Sequence, residues 1–430
     1  MTRTHSHRRA PLSVAILLDL YRHDAAGGHV KSWERLAEAV AAEDEVDLTL
    51  YSLGQQVERI PIHAHARHQT LPAVLGTDRF RFLDGIADHT DLAPFHPELW
   101  TRLRAHDVLH TTDAYFAMAR TALLFARRHR RPLVTSLHTD TPGYTRVYAA
   151  ETLRRMFGTG RLGRWLVEDR QLAERFGARK DRRLERYLRQ CDWVLAPSQD
   201  YAGNRSVVLP AQRTSVLRRG IDRQLFHPAR RDRGWLQQTW GISETEVVLL
   251  YAGRLTPDKN VILLARAVRR LLERGERIHT VFAGRGGLGD ALREILGAKM
   301  TLTGPLPQPT LARLYASADL FALPSELEIF PNVVLEAMAS GLPVVVSARG
   351  GAAALIERPG VDGITVATAE EEAWAEALGA LCRDAERRHT LGTAARARIE
   401  QRWPSWRDVL VEDLLPVWRR VHAERPQERA

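Results

Sequence analysis

Short apolar runs alternate with amphipathic stretches along most of this 430-residue chain. In the second half the alternation is regular. Runs at 247–251, 279–283, 300–303, 320–323, 344–347 and 364–366 read as strands, and stretches at 261–273, 290–296, 311–316, 332–339, 371–382 and 386–400 read as helices. Strand and helix in strict turn predict a parallel sheet covered on both faces. The first half shows the same pattern less cleanly, with strands expected at 12–18, 46–52, 107–110, 133–137 and 193–197 and helices at 30–42 and 115–128. Two segments break it. Residues 55–107 carry Pro61, Pro72, Pro94 and Pro97 among many histidines, and residues 151–190 are arginine-rich with interleaved apolar positions. A charged run, Arg230-Arg231-Asp232-Arg233, marks a change of composition that reads as an interdomain linker. Beyond Trp403-Pro404-Ser405-Trp406 a helix to about residue 421 is long enough to pack back on the first domain.

One stretch concentrates the chemistry. Residues 323–345 place Glu328 and Glu336 on either side of a loop-to-helix switch. Pro331 suits the first helical position, where its missing N–H costs nothing, and Gly341 with Pro343 ends the helix. Glu328 then lies in the loop before a helix amino end, Glu336 lies inside the helix, and the amides of Asn332 and Val333 point outward. Such an end binds phosphate. Arg254 and Lys259 stand around Pro257 after an earlier strand, so both cations can reach one diphosphate. Together they would stabilise the charge that grows on a departing diphosphate without a metal.

Composition narrows the partners. A net charge of +10 favours anionic ligands, and 44% hydrophobic residues suffice for full cores. Two cysteines, Cys191 and Cys382, imply no disulfide framework and fit a reducing compartment. The apolar run after the basic residues 3–9 is too short for a signal sequence, and no stretch approaches the ~20 apolar residues of a membrane span. A cytoplasmic protein is expected. The arginine-rich segment fits either a solvated helical face or peripheral contact with an anionic membrane. No RNA-binding signature accompanies it, so no nucleic-acid partner is expected.

Other motifs have two readings. Gly27-Gly28 between a strand and a helix suits close backbone approach to a ligand, or a plain tight turn. His138 follows a strand at the end where open α/β sheets bind ligands, with Asp140, Tyr144 and Tyr148 after it. His63, His65 and His68 form H-x-H-x-x-H, but no Cys or carboxylate nearby completes a metal site. Residues 284–289 match the dinucleotide fingerprint G-x-G-x-x-G, which raises an NAD-type oxidoreductase. That fingerprint needs an acid at the end of the next strand, where Thr303-Gly304-Pro305 stands instead.

Taken in order, these residues resemble the retaining glycosyltransferases of family 4, which have the GT-B fold. The resemblance runs through Gly27-Gly28, Ser136-Leu137-His138-Thr139, Arg219-Gly220-Ile221-Asp222, Gly253-Arg254-Leu255, Lys259-Asn260, Gly284, Gly304 and the E-x7-E motif from Glu328 to Glu336. It implies an α/β chain with two Rossmann-like domains facing a cleft, residues 1–212 on the acceptor side and 213–402 holding a nucleotide sugar, with 403–430 crossing back. It also implies roles. Glu328 contacts the donor sugar, Glu336 holds the ribose, Arg254 and Lys259 hold the diphosphate, and the backbone near Leu306 lines the base. Gly27, Gly28, Gly253, Gly284, Phe330, Asn332 and Val333 complete the donor site. His138 lies near the transferred sugar, and Asp140, Tyr144 and Tyr148 belong to the acceptor side. The chain departs from the family pattern at Leu327 and Ile329, where small or hydroxylated residues are usual, and at Pro331, where Gly is usual.

The expected activity is transfer of a hexose from a UDP- or GDP-linked sugar to a hydroxyl acceptor with retention, a lipid or lipid-linked glycan being one acceptor class. The nucleotide sugar is a co-substrate, and neither a cofactor nor a metal is expected. The alternative is a non-catalytic GT-B scaffold, whose mark would be loss of Arg254, Lys259 or Glu328; all three are present.

Overall fold

The computed structural model describes residues 10–22, 28–79, 89–138, 172–204 and 209–424, with scattered residues between 141 and 171. Among them two sheets form, one for each half of the chain. The first contains β1 (Leu12–Tyr21), β2 (Val46–Gly54), β3 (Glu58–His63), β4 (Ala66–Pro72), β5 (Val108–Thr111), β6 (Leu133–Ser136), β7 (Trp193–Ala196) and β8 (Thr214–Val216) in the order β3-β4-β2-β1-β5-β6-β7-β8. The second contains β9 (Val247–Ala252), β10 (Ile278–Ala283), β11 (Met300–Gly304), β12 (Leu320–Leu323), β13 (Val344–Ser347) and β14 (Ile364–Val366) in the order β11-β10-β9-β12-β13-β14.

The second sheet is parallel throughout, as its alternation predicts. Its helices follow from the spacing of apolar residues. In Val261–Glu273, the buried Val261, Leu264, Ala265, Val268 and Leu271 fall on one face and pack against the sheet. The first sheet differs from the expected all-parallel form. The proline-rich 55–107 segment supplies β3 and β4, and β3 pairs antiparallel on the outer edge. Pro61 is tolerated there because an edge strand has one side without a ladder. The histidines of H-x-H-x-x-H turn apart. A His63 ring nitrogen meets the Ala37 carbonyl at 2.7 Å, His65 pairs with Asp47 at 2.8 Å, and His68 meets the Ser52 hydroxyl at 2.8 Å.

β8 also belongs to the first sheet, so the first domain runs past residue 212 and the passage to the second begins after Val216. The chain crosses between domains twice, side by side: Ile221 N–H donates to the Pro404 carbonyl at 3.1 Å. A Cβ on Gly220 would lie 2.7 Å from the Trp406 backbone, so only glycine fits this crossing. After it, Val409, Leu410, Leu414, Leu415, Val417, Trp418 and Val421 join the core formed by Val14, Ile16, Leu48 and Val134. The predicted return of the tail to the first domain is therefore present. A π-helical turn at Val409–Leu414 precedes Leu415–Glu424, and it accommodates Pro416, which has no N–H for a helical bond. No helix among the described residues is long and apolar enough to cross a membrane.

Candidate active site

Each sheet has one place where strand order reverses, between β1 and β5 in the first and between β9 and β12 in the second. Loops at the carboxyl ends of such strands diverge and leave a crevice. Here the two crevices face each other across a cleft of about 1120 Å³, lined by residues of both domains and of the segment joining them.

The second-domain face is charged and tightly built. Gly253 follows β9 with φ 148° and Gly284 follows β10 with φ 150°. A Cβ on Gly284 would lie 1.9 Å from the Gly253 carbonyl oxygen, and one on Gly286 would lie 2.3 Å from that of Leu255. The glycines of the G-x-G-x-x-G run thus let the 253–255 loop pack against the next loop, which accounts for them without a dinucleotide. Beyond that loop, Asn260 adopts a left-handed conformation (φ 53°) and donates through Nδ2 to the Pro324 carbonyl at 3.2 Å. The tight turn before it delivers Lys259 into the cleft. Lys259 Nζ donates to Glu328 Oε1 at 2.6 Å and lies 3.4 Å from Asp258 Oδ2. Arg254 Nη2 lies 3.7 Å from the same Asp258 oxygen, so one buried carboxylate organises both cations.

The loop carrying Glu328 is held from behind. Gly351 N–H donates to the Glu328 carbonyl at 2.6 Å, and a Cβ on Gly351 would lie 1.8 Å from the Ile329 carbonyl oxygen. Sequence reasoning passed over Gly350-Gly351, although a glycine pair directly after a strand was the available signal. Pro331 is the N-cap (φ −82°, ψ 106°) rather than the first helical residue, and the helix spans Asn332–Ala339. Its carbonyl already accepts Val334 N–H at 3.1 Å, so proline's missing amide lies outside the helical ladder. Glu336 sits behind Tyr315 at the cleft wall, and burial pushes its carboxyl up to about 7, opposed by the Tyr315 hydroxyl and the Arg35 charge. Leu306, Phe330 and Val333 line the same cleft.

Around His138 the first-domain face is built from neutral rings. His138, after β6, packs tilted against His29 at 4.4 Å and meets Trp33 edge-on at 5.9 Å. Burial and the nearby Arg219 charge push His29 down to about 3 and hold His138 well below the usual imidazole range. A buried relay sets the His138 ring. Trp418 Nε1 donates to His110 Nδ1 at 3.0 Å, and His110 Nε2 meets Ser136 Oγ at 2.9 Å. Ser136 Oγ meets His138 Nε2 at 2.7 Å, and Arg219 Nη2 donates to His138 Nδ1 at 2.7 Å. Indole and guanidinium are donors only, so each histidine must accept at Nδ1 and carry its proton on Nε2. His29, His110, Ser136, Arg219 and Trp418 gained no role in the sequence reading, except that Ser136 and Arg219 stood in quoted motifs. Nothing in the linear pattern joins residues 110 and 418.

The two faces touch. Asn332 Nδ2 donates to Ser32 Oγ at 2.7 Å, and Arg35 Nη2 donates to Gln308 Oε1 at 2.5 Å. Asn332 Nδ2, at the amino end of helix Asn332–Ala339, also reaches the Gly28 carbonyl at 3.5 Å. Gly27, Asp140, Tyr144 and Tyr148, expected around this site, lie outside the described residues.

Two parallel-sheet domains around a cleft, with a tail returned to the first, define the GT-B class of glycosyltransferases. Solved structures of that class cover nearly the whole chain. Sucrose-phosphate synthase from Thermosynechococcus elongatus superposes with a TM-score of 0.70 at 20% identity, over 96% of this chain and 99% of that one. HepE from Anabaena, solved with UDP-glucose, gives 0.65 at 19% identity over 96% and 98%. A family model described as Glycosyltransferase Family 4 matches residues 26–225, and one described as Glycosyl transferases group 1 matches residues 233–398. The chain belongs to the family 4-type glycosyltransferases. Among curated relatives, D-inositol 3-phosphate glycosyltransferase of Kribbella flavida is 33% identical over 49% of this chain and 53% of its own length. Sulfoquinovosyl transferase SQD2 of Arabidopsis thaliana is 29% identical over 69% and 53%. The chain spans about half the length of the curated relatives it matches.

Proposed function

We propose that the protein transfers a hexose from a nucleotide diphosphate sugar to a hydroxyl acceptor, with retention at the anomeric carbon and without a metal. The observation that carries this is the pairing of Lys259 and Arg254 on buried Asp258, with Glu328 on Lys259 and a helix amino end beside them. Two fixed cations and outward amides suit a departing diphosphate, whose charge grows as the glycosidic bond breaks. Glu328, held by its backbone and by Lys259, suits a hydroxyl of the donor sugar, and Glu336 suits the ribose. A front-face displacement through an oxocarbenium-like state fits a site whose main assets bear on the leaving group. The neutral His138 offers no charge to the anomeric centre and shapes the acceptor side. HepE was solved with UDP-glucose, which supports a UDP-linked donor as the first to try.

Thermal shift across UDP- and GDP-linked sugars identifies the donor, and NMR of the product anomer tests retention. Chelation of divalent ions should leave turnover unchanged. Near-normal turnover in both Glu328→Ala and Lys259→Ala would sink the assignment. A lipid-linked acceptor is consistent with helix Leu172–Leu188, which exposes Phe176 among Arg175, Arg179 and Arg182. Co-sedimentation with anionic vesicles tests that face.

A further inference from the structure

Arg219 is a buried cation that the proposed donor site does not use. It lies on the segment joining the domains, it is 6% exposed, and it borders the cleft. Among the described residues no carboxylate stands within ion-pair distance of its guanidinium, whereas its neighbour Arg218 is fully engaged by Asp413 and Glu412. Its hydrogen-bond partner is the neutral His138, whose Nδ1 must accept because a guanidinium only donates. Among the described residues the guanidinium is therefore aimed but not neutralised. It also lies 6.0 Å from the centre of the Phe330 ring, directly before the helix that starts at Asn332. His29, in helix Gly28–Ala39, feels its charge. The amino end of helix Asn332–Ala339 and a guanidinium with no carboxylate partner among the described residues thus meet at the seam.

A buried charge without a partner is costly, and breaking such a pair is worse than never forming it. An arginine held in this state is matched by a ligand that brings the negative charge. Its planar fork fits two oxygens of a phosphate, and helix amino ends add N–H donors to the same kind of anion. Resting on the donor reading above, we propose that Arg219 is a phosphate-binding residue at the domain seam, closing on a substrate phosphate that Arg254 and Lys259 do not hold alone. The phosphate comes either from the nucleotide diphosphate or from a phosphorylated acceptor. His138, Ser136, His110 and Trp418 act as positioning residues for it.

The test is calorimetric titration of UDP, GDP, uridine and guanosine into the full chain and into Arg219→Gln, followed by inorganic phosphate into each protein saturated with the tighter nucleotide. A loss of at least tenfold in nucleoside diphosphate affinity, with nucleoside affinity unchanged, assigns Arg219 to the donor. Unchanged diphosphate affinity with loss of phosphate binding to the saturated protein assigns it to the acceptor. Wild-type behaviour in both titrations overturns the proposal. Should Arg219→Gln lose the native circular dichroism, Arg219→Lys replaces it. That variant keeps the charge but not the fork, and at least a threefold weakening is expected in the same arm, with no weakening in either arm again overturning the proposal. A wild-type protein that binds neither nucleoside diphosphate would refute the donor reading instead, and phosphate titrated into the free protein would still decide the role of Arg219.

Discussion

The two walls of the cleft are made by opposite means. The second-domain wall puts full charges, Arg254, Lys259 and Glu328, on loops held rigid by glycine-to-carbonyl packing, and it draws them from residues 253–351. The first-domain wall keeps its rings neutral. It holds them by a hydrogen-bond chain that begins at residue 418, crosses β5 and β6, and ends on the joining segment at Arg219. A charged wall suits a charged leaving group. Under the proposed reaction, neutral rings around His138 suit an uncharged hydroxyl acceptor. Charge and position are thus assigned to different domains and coupled where the domains meet.

The largest effect that would break this contrast is on the charged wall. Lys259→Ala should lower turnover about 10²–10³-fold, the usual cost of one oxyanion donor, while circular dichroism stays native and stability falls because Asp258 and Glu328 lose a buried partner. A comparable loss on removing a first-domain ring alone would mean the walls share the work. Next is Gly284→Ala. With φ at 150° and a Cβ 1.9 Å from the Gly253 carbonyl, it should cost about 3 kcal/mol and abolish nucleotide binding, read by urea melts and UDP titration. Intact UDP binding there would show that loop packing does not build the charged wall.

The third prediction sharpens the neutral wall. Trp418→Phe keeps the ring but removes the N–H that His110 accepts, and an unsatisfied buried acceptor costs about 1–3 kcal/mol. Turnover should fall several-fold, with UDP affinity following the direction found for Arg219→Gln. A parallel fall in UDP affinity would place the relay on both walls.

The smallest effect is in the pH dependence of stability, where the walls should have opposite signs. Glu336 is raised from 4.5 to about 7, so its stabilising contribution is present below pH 4.5 and lost as pH rises through 7. His29 is lowered from 6.5 to about 3, so its contribution is present above pH 6.5 and lost as pH falls toward 3. Melts from pH 5 to 8 of Glu336→Gln and His29→Asn against wild type should differ in slope with opposite sign. Equal slopes would remove the distinction.

Much of the charged wall was legible because it is local. Gly253, Arg254 and Lys259 follow one strand, and Glu328, Asn332 and Glu336 follow another. In a parallel sheet, both strand ends lie on one edge. The amino acids themselves set the helix after Pro331, the left-handed turn that Asn260 permits, and the return of an apolar tail. What they left open depended on contacts between distant segments. The proline-rich stretch became an edge hairpin because β4 found β2, and the histidines of H-x-H-x-x-H were parted by that pairing. Likewise, Arg219 read as a motif residue until His138 and Phe330 surrounded it, and Trp418 as a tail residue until it reached His110. Local propensity and periodicity act over one or two turns of chain and can be read in order. A hydrogen bond between residues 308 positions apart has no trace in either, and only the packing of the returned tail against the first sheet creates it.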